Sequence, residues 1–397
     1  MNIDTRLWVA GAALGIGAAL GIGAAIAAAA PAWADNAEGP TARSASAGPA
    51  RSYHSAKTTA AKAISAANRR ATGRSTVTPT LSVRPIALSP FTLSSGTTGA
   101  AELSGITYAG GTTYYAVGDN GAASIWGVHA SLTTPPGGVR SGLVSSGISA
   151  PALGSDSEGI ALTPSGGSVW VSDEIASTIT EFSLSDGSKT STIAVPAIYR
   201  PANVQGNFGL ESLAYGAGTL WTGNEEALRS DGSLSTTTSG SWVRIQTFTG
   251  PDFAPATQYA YRTDPISELS PFTDAERSGL VDMVALPDGQ VLSLERELGG
   301  FLPVFRSRVY LVDFTGATDV AGVPSLTDGA FTAVSKSLLW QGYFAFTNFE
   351  GVTLGPQLSN GSYSLLMVSD DGSGVLGQRQ TLLNLNLSGL SAPITSV

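Results

Sequence analysis

Cysteine is absent from this sequence, and histidine occurs only twice, as His54 and His129. Without cysteine there can be no disulfide framework, no thiolate metal site and no cysteine nucleophile. A serine–histidine–aspartate triad would have to use His129, and the chain has no G-x-S-x-G motif to supply the serine. A G-x-x-x-x-G-K-[ST] phosphate-binding loop and an H-E-x-x-H zinc helix are also missing. These absences exclude several common classes of hydrolase site.

Charged residues are few, at 13% of the chain, and they are unevenly distributed. Residues 35–84 carry eight lysines and arginines against two acids, whereas residues 85–397 carry twelve against 27. The second region is strongly acidic and repels phosphate backbones, so nucleic acid is not an expected partner. Hard cations, and ligands that are cationic or chelate a metal, are expected to bind such a region instead.

Only one long apolar run is present, at the N-terminus. Arg6 precedes an uncharged stretch from Leu7 to Ala30, and a small-residue site ending at Ala34 follows. This pattern predicts a signal peptide over residues 1–34, cleaved after Ala34, and hence a secreted or periplasmic protein with no membrane span after cleavage. The alternative is an uncleaved anchor, because the run is long enough to cross a bilayer. Residues 35–84 have hardly any large apolar side chain, which predicts a disordered basic leader.

The rest of the chain, residues 85–397, alternates short apolar runs with Gly, Asp, Asn and Pro, which predicts many strands joined by tight turns. One motif recurs: an acid followed by a short aliphatic strand, then a turn, then a second strand that ends in a polar or acidic pair. A third strand follows each copy, and a fourth follows in most. The five copies begin at Glu102, Glu158, Glu211, Asp282 and Glu350.

This repeat predicts an all-β domain, a β-propeller of four-stranded blades, rather than a sandwich whose strands do not recur as one motif. Five blades are favoured, and six are the alternative. The fifth copy ends before a fourth strand, and the segment from Val83 to Leu93 can supply that strand and close the ring. Trp170 and Trp221 lie in second strands and are expected in the blade cores. We expect the protein to be a monomer.

A propeller places the start of each first strand and the end of each second strand at the same mouth of its central tunnel. The five acids that open the repeats would therefore converge there. Acids also close the second strands, at Asp119, Asp173, Glu295 and Asp370. Two unit charges about 6 Å apart, at an effective dielectric constant of about 20, repel each other by roughly 2–3 kcal/mol. Such a ring needs neutralisation.

Carboxylate ligands without cysteine favour a hard divalent cation, Ca²⁺ first and Mg²⁺ or Mn²⁺ after it. The predicted metal ligands are Glu102, Glu158, Glu211, Asp282 and Glu350. Asp173, Asp370 and Glu295 are the predicted catalytic acids, as a further ligand or a general base. The alternative is that each acid accepts backbone N–H bonds from the neighbouring blade and only fixes the blade spacing.

Three arginines lie in or beside loops close to the repeat acids: Arg200, Arg296 and Arg308. Their guanidinium groups suit a phosphate or carboxylate, so they are predicted to bind an anionic substrate. The alternative is ordinary ion pairing with the abundant acids.

Several segments together resemble the phytase-like family, described as having "esterase-like activity of phytase". They are Arg200 to Asn203, Asn207 to Ala214, Leu294 to Arg296, Gly316 to Val320, Asn348 to Gly351 and Ser369 to Asp371. The resemblance covers about Glu102 to Leu387. It implies an exported bacterial propeller that hydrolyses phosphoesters or esters, and it adds Asn207 to the predicted substrate-binding residues.

Two phytase motifs are missing. Without R-H-G-x-R-x-P there is no phosphohistidine mechanism, and the absence of D-A-x-D-D-P-A, the motif of alkaline propeller phytases, argues against phytate itself. The predicted function is therefore cation-dependent hydrolysis of a small anionic ester or phosphoester. One alternative is a non-catalytic exported propeller that binds a surface glycan, peptide or protein. A further alternative is a lactonase.

Overall fold

The structure is a computed structural model that describes residues 81–85, 90–94, 99–119, 123–133, 138–269, 277–299 and 304–390. The predicted signal peptide and all of the predicted leader up to residue 80 lie outside these described residues. Among the residues described, no helix has the length and apolar character needed to cross a membrane.

Five antiparallel sheets of four main strands surround a central axis and form a five-bladed β-propeller, which confirms the predicted fold class and the favoured blade number. Blade 1 consists of β3 (Leu103–Gly110), β4 (Thr113–Gly118), β5 (Ser124–Leu132) and β6 (Val139–Val144), with β7 (Ile148–Ser149) beside β5. Blade 2 consists of β8 (Ser157–Leu162), β9 (Ser168–Asp173), β10 (Thr178–Ser183) and β11 (Lys189–Ile193).

The next two blades follow the same antiparallel order. Blade 3 consists of β12 (Leu210–Gly216), β13 (Thr219–Asn224), β14 (Trp242–Thr249) and β15 (Ala254–Arg262). Blade 4 consists of β16 (Arg277–Ala285), β17 (Val291–Gly299), β18 (Val304–Asp313) and β19 (Ser335–Ala345). Short 3₁₀ helices in the connections span Ala197–Tyr199, Pro201–Asn203, Arg229–Asp231, Leu326–Asp328 and Gly372–Gly377.

Blade 5 is assembled from both ends of the propeller sequence. Its strands are β20 (Asn348–Gln357), β21 (Tyr363–Asp370), β22 (Thr381–Ser388), β1 (Ser82–Pro85) and β2 (Phe91–Thr92). β1 pairs with β22 so that Val83 lies opposite Leu387, and β2 pairs with the start of the same strand. The N-terminal segment therefore supplies the closing strand, as the sequence predicts. β1 begins at Ser82, so the last residues assigned to the leader belong to the blade.

The first strand of each blade lines the axis, and neighbouring first strands contact one another around the whole ring. Their aliphatic residues are buried, as are the blade interiors, where Trp170 packs edge-on against Phe253. Trp221 is half-buried and lies against Phe314. His129 is exposed on β5, a third strand remote from the axis. The packed strands leave polar side chains free to converge only at the ends of the tunnel.

Candidate functional site

A β-bulge interrupts the start of every first strand, where the pairing with the second strand shifts register. The bulge lies at the same place in each blade and turns one side chain towards the axis. The residues that follow the last paired residue at this point are Ser104, Glu158, Glu211, Val281 and Glu350. Three of the five blades therefore contribute a glutamate from the bulge.

A second set of side chains comes from the ends of the second strands. Each of these residues pairs with the residue just before the bulged segment of the first strand. The amide of Glu174, for example, donates to the carbonyl oxygen of Asp156 at 3.0 Å, and the amide of Glu225 donates to the carbonyl oxygen of Gly209 at 3.0 Å. The equivalent residues in the five blades are Asp119, Glu174, Glu225, Arg296 and Asp370. Four blades contribute an acid here, and blade 4 contributes an arginine.

The two sets meet in one cavity of about 40 Å³ at one end of the tunnel, which we call the acidic mouth. Its lining residues are Glu102, Asp119, Glu158, Glu174, Asn207, Phe208, Glu211, Glu225, Arg296, Glu350 and Asp370. Eight of these side chains are carboxylic acids and one is a cation. The cavity has room for an ion and a few water molecules, but not for a whole organic substrate.

One side of the acidic mouth is electrically paired. The Arg296 guanidinium lies 3.2 Å from a Glu225 oxygen and 3.0 Å from a Glu350 oxygen, so it joins acids of blades 3 and 5. Asn348 also donates to Glu350, at 2.7 Å. All three charged groups are buried. This part of the site is a rigid, hydrogen-bonded arrangement with one guanidinium in a fixed position.

The other side has no such counter-charge among the described residues. Glu158 accepts a hydrogen bond from the Ser104 hydroxyl, and Glu174 accepts one from the amide of Gly209 at 2.8 Å. Oxygen atoms of Glu158, Glu174 and Glu211 all lie within 4.8 Å of one another, close enough to coordinate one ion together. Gly209 allows this approach, because a Cβ there would lie 2.5 Å from the Glu174 carbonyl oxygen.

Burial and mutual repulsion act on the proton affinity of the whole set. Desolvation, followed by neighbouring carboxylates, raises the pKa of Glu158, Glu174 and Glu211 well above the usual range. Desolvation likewise raises the pKa of Glu225 to about 7, although Arg296 opposes the rise. In the absence of a cation these groups therefore hold a proton more tightly than a solvent-exposed glutamate does.

Most of the predicted site residues line the acidic mouth. These are Glu102, Glu158, Glu211, Glu350, Asp370, Arg296 and Asn207. Glu102 reaches it differently from the other glutamates, because it lies just before β3 with a φ of 50° and its amide donates to an Asp371 oxygen at 2.9 Å. It occupies the place that Asp156 holds in blade 2.

Asp282 lies outside the acidic mouth, one residue beyond the bulge. Val281 holds the position that Glu158 and Glu211 hold in their blades. The Asp282 carboxylate accepts from the amides of Met283 at 2.8 Å and Val352 at 2.7 Å, and so it links β16 to β20. Burial raises its pKa, and these amide donors oppose the rise. At this position the alternative reading, an acid that fixes blade spacing, describes the contacts.

The structure also places two predicted catalytic acids elsewhere. Asp173 pairs with Ser157 and accepts from the amide of Ala176 in a turn, so the following residue, Glu174, faces the mouth instead. Glu295 forms an ion pair with Lys336 of its own blade and accepts from the Tyr261 hydroxyl of blade 3 at 2.6 Å. In both blades the strand pleat turns the second residue of the pair, Glu174 or Arg296, towards the axis, and not the first.

Two predicted arginines are likewise remote from the mouth. Arg308 pairs with Glu297 on the neighbouring strand, and Arg200 is exposed between the first two 3₁₀ helices. The residues not singled out from the sequence are Glu174, Glu225 and Asp156. Glu174 and Glu225 belong to the polar pairs Asp173-Glu174 and Asn224-Glu225, which the sequence shows at the ends of the second strands. Deciding which member of each pair faces the mouth requires the register of the bulge.

A larger cavity, of about 400 Å³, lies at the opposite end of the tunnel. Its lining includes Tyr108, Leu162, Tyr215 and Leu354, and no charged residue. It is the roomier space, but its lining contains no carboxylate, histidine, lysine or arginine. The smaller acidic mouth is therefore the candidate functional site.

A family model described as "Phytase-like: Esterase-like activity of phytase" matches residues 98–372, from just before β3 to just after β21. No curated protein sequence matches the chain.

Several solved structures are similar to the chain at low identity. Hydrazine synthase of Kuenenia stuttgartiensis is 11% identical, with a TM-score of 0.33 over 74% of this chain and 64% of that one, so the chain spans less than two thirds of its length. A gluconolactonase of Xanthomonas campestris is 10% identical, with a TM-score of 0.34 over 77% and 97%. Regucalcin of Agrobacterium tumefaciens, a calcium-binding protein, is 11% identical, with a TM-score of 0.32 over 79% and 97%. At these TM-scores the likenesses carry no argument about chemistry.

Proposed function

The chain belongs to the phytase-like family, and we propose that it binds a hard divalent cation in its acidic mouth and hydrolyses an ester or phosphoester there. The observation that carries the proposal is the convergence of eight buried or half-buried carboxylic acids, from four of the five blades, on one small cavity with a single guanidinium. Such a cavity is costly to leave uncompensated.

The donor set fits a cation of this class. Glu158, Glu174 and Glu211 would hold it, since their oxygens lie within 4.8 Å of one another and carboxylates are the preferred ligands of Ca²⁺, Mg²⁺ and Mn²⁺. Beside them, both carboxylate oxygens of Asp156 are buried without a hydrogen-bond donor among the described residues. When bound, a cation would supply Lewis-acid polarisation of the substrate oxygen and would make a nearby water more acidic.

The chain's own groups would carry out the remaining steps. Arg296, held in place by Glu225 and Glu350, would donate hydrogen bonds to the oxygen on which negative charge develops. Asp370 would act as the general base: its Oδ2 would take a proton from water as the water oxygen bonds to the carbonyl carbon or phosphorus. It would return that proton to the leaving oxygen as the ester bond breaks. Burial and the nearby Glu350 raise its pKa, so the ionised carboxylate is a stronger base than that of an exposed aspartate.

The size and charge of the mouth restrict the substrate. Only the reacting group can enter a cavity of about 40 Å³, so the rest of the molecule would lie outside, against the rim formed by Asn207 and Phe208. An anionic group could enter this acidic site only when a cation is bound.

If the predicted signal peptide is used, the reaction takes place outside the cytoplasm. Sequencing the N-terminus of the exported protein would test cleavage after Ala34.

A substrate screen tests the proposal directly. The chelator-treated full chain is assayed on aryl phosphates, aryl esters and lactones, alone and with Ca²⁺, Mg²⁺ or Mn²⁺. We expect turnover that disappears with chelator and returns with cation. Glu211→Gln should reduce it by at least about tenfold, as loss of a ligand weakens cation binding, whereas Glu268→Gln, at an exposed position, should not.

Two results would contradict the proposal. Turnover that is indifferent to chelator, with Glu211→Gln equal to the control, would remove the cation from the mechanism. Cation binding without turnover on any substrate class would instead support the non-catalytic binding alternative.

A further inference from the structure

Asp156 is a buried acid close to the acidic mouth, but it does not line the cavity. The residue is 1% exposed and lies just before β8, where it forms a β-bridge with Asp119. Neither of its carboxylate oxygens has a hydrogen-bond donor within the described part of the chain, and the same is true of Asp119 Oδ1. Buried carboxylates are normally satisfied by donors or by a metal, so these oxygens indicate a missing partner.

These oxygens of Asp119 and Asp156 lie close to Glu158, a proposed ligand of the first cation. Oxygen atoms of Asp119, Asp156 and Glu158 lie within 4.8 Å of one another. Glu158 is also a member of the Glu158, Glu174 and Glu211 set described above. Two groups that can each surround an ion therefore share one carboxylate.

The negative charge of these two groups also exceeds what one divalent cation can neutralise. The five acids of the two groups are Asp119, Asp156, Glu158, Glu174 and Glu211. None of them is a partner in the ion pairs found among the residues described: Arg296 pairs with Glu225 and Glu350 and acts on Glu211 through a longer-range electrostatic interaction. A single divalent cation would leave three of five negative charges uncompensated if all five acids were ionised, whereas two cations would leave one.

We propose that the acidic mouth holds two divalent cations side by side, with Glu158 as their shared ligand. One lies among Glu158, Glu174 and Glu211, and the second lies among Asp119, Asp156 and Glu158. The inference rests on the proposed function, which requires only the first cation. It predicts that the second position, unlike the first, requires Asp156, a residue that does not line the open cavity.

The competing occupant is a proton. Asp119 and Asp156 could share one as a carboxylic acid–carboxylate pair, which would also satisfy their oxygens. The two arrangements differ in the number of cations bound, so stoichiometry separates them.

Calorimetric titration of the chelator-treated full chain with Ca²⁺ and with Mn²⁺ tests the inference. The wild type should bind two cations, Asp156→Asn should bind one, and Glu158→Gln should lose both. Asp252→Asn, an exposed matched control, should still bind two. The Asp156 side chain has no donor to lose in the described structure, so its substitution should preserve folding, which melting curves will check.

The outcomes separate the two proposals. A wild type that binds one cation, unchanged in Asp156→Asn, overturns the second site and leaves the proposed function intact. A wild type that binds none overturns both.

A second measurement needs no variant. At saturation with Mn²⁺, electron paramagnetic resonance of the wild type should show a magnetically coupled pair, because the two ions share a ligand. A spectrum of only isolated Mn²⁺ ions at saturation would overturn the two-cation site.

Discussion

Arg296 is the only cation that lines the acidic mouth in the described part of the chain, and its charge is shared by two buried glutamates. Replacing it with methionine would keep much of its volume and leave Glu225 and Glu350 without a partner. Removing one member of a buried ion pair costs about 3–5 kcal/mol when the remaining charge stays buried.

Arg296→Met should therefore destabilise the protein more at pH 8 than at pH 5. Loss of the guanidinium raises the pKa of Glu225 and Glu350 further, so at pH 5 both can be neutral and the penalty shrinks. Urea unfolding of the variant and of Arg140→Met, an exposed control, at both pH values checks this. Equal destabilisation at the two pH values would show that Arg296 acts through packing alone.

At the residue scale, the sequence was sufficient to find the acids but not to choose among neighbours. The pairs Asp173-Glu174 and Glu295-Arg296 each contain one residue that faces the mouth and one that faces the blade. A strand pleat alternates faces with every residue, so an error of one position reverses the assignment. Only the hydrogen-bond register shows which residue is which.

At the scale of single strands, Asp282 connects two blades through its two carboxylate oxygens. Asparagine has only one acceptor oxygen, so Asp282→Asn would leave one buried amide facing an NH₂ group. Leaving a buried donor unsatisfied costs about 1–3 kcal/mol. We expect that loss of stability in urea unfolding, with no change in cation affinity by calorimetry. Weakening of cation binding to the extent seen for Glu211→Gln would instead place Asp282 in the site.

The closing strand gives a second prediction at this scale. β1 buries Val83 in one core cluster of blade 5, and Leu93, directly after β2, is buried in a second cluster formed by blades 1 and 5. A chain that starts at residue 81 should melt close to the full chain, whereas one that starts at residue 94 should lose cooperative unfolding, because β22 would become an open edge. Circular dichroism melting compares the two. Similar melting of both truncations would contradict the role of these strands.

The repeat was visible in the sequence because the four-strand unit, its turns and its missing last strand are all local patterns. The bulges were not visible, since a bulge inserts one residue without a distinctive composition. This explains why the blade number and the closure were predicted correctly while Asp282 was grouped with Glu211. The two residues occupy the same place in the motif but different places relative to the bulge.

At the scale of the whole molecule, the ring brings acids from separate blades so close together that the folded state holds more protons than the unfolded chain. Desolvation and neighbouring acids raise the pKa values, that of Glu225 to about 7, whereas an unfolded glutamate titrates near about 4.3. The stability contributed by these groups is fully present below the unfolded pKa and is lost as the pH rises through the folded values.

The metal-free protein should therefore melt at progressively lower temperature as the pH rises from about 5 to about 8. Saturating Ca²⁺ should flatten this dependence, because the cation binds the ionised carboxylates of the folded state and stabilises it by mass action. Scanning calorimetry with and without chelator across this range provides the comparison. Identical pH profiles in both conditions would mean that no cation occupies the mouth.

The most direct test of the central claim, that the acidic mouth is a cation site, is anomalous diffraction from a crystal equilibrated with Mn²⁺. We expect a strong anomalous peak at coordination distance, about 2.0–2.6 Å for hard divalent cations, from oxygens of Glu158, Glu174 and Glu211. The absence of any peak in the mouth, with those three side chains well ordered and Mn²⁺ present in excess, would contradict it.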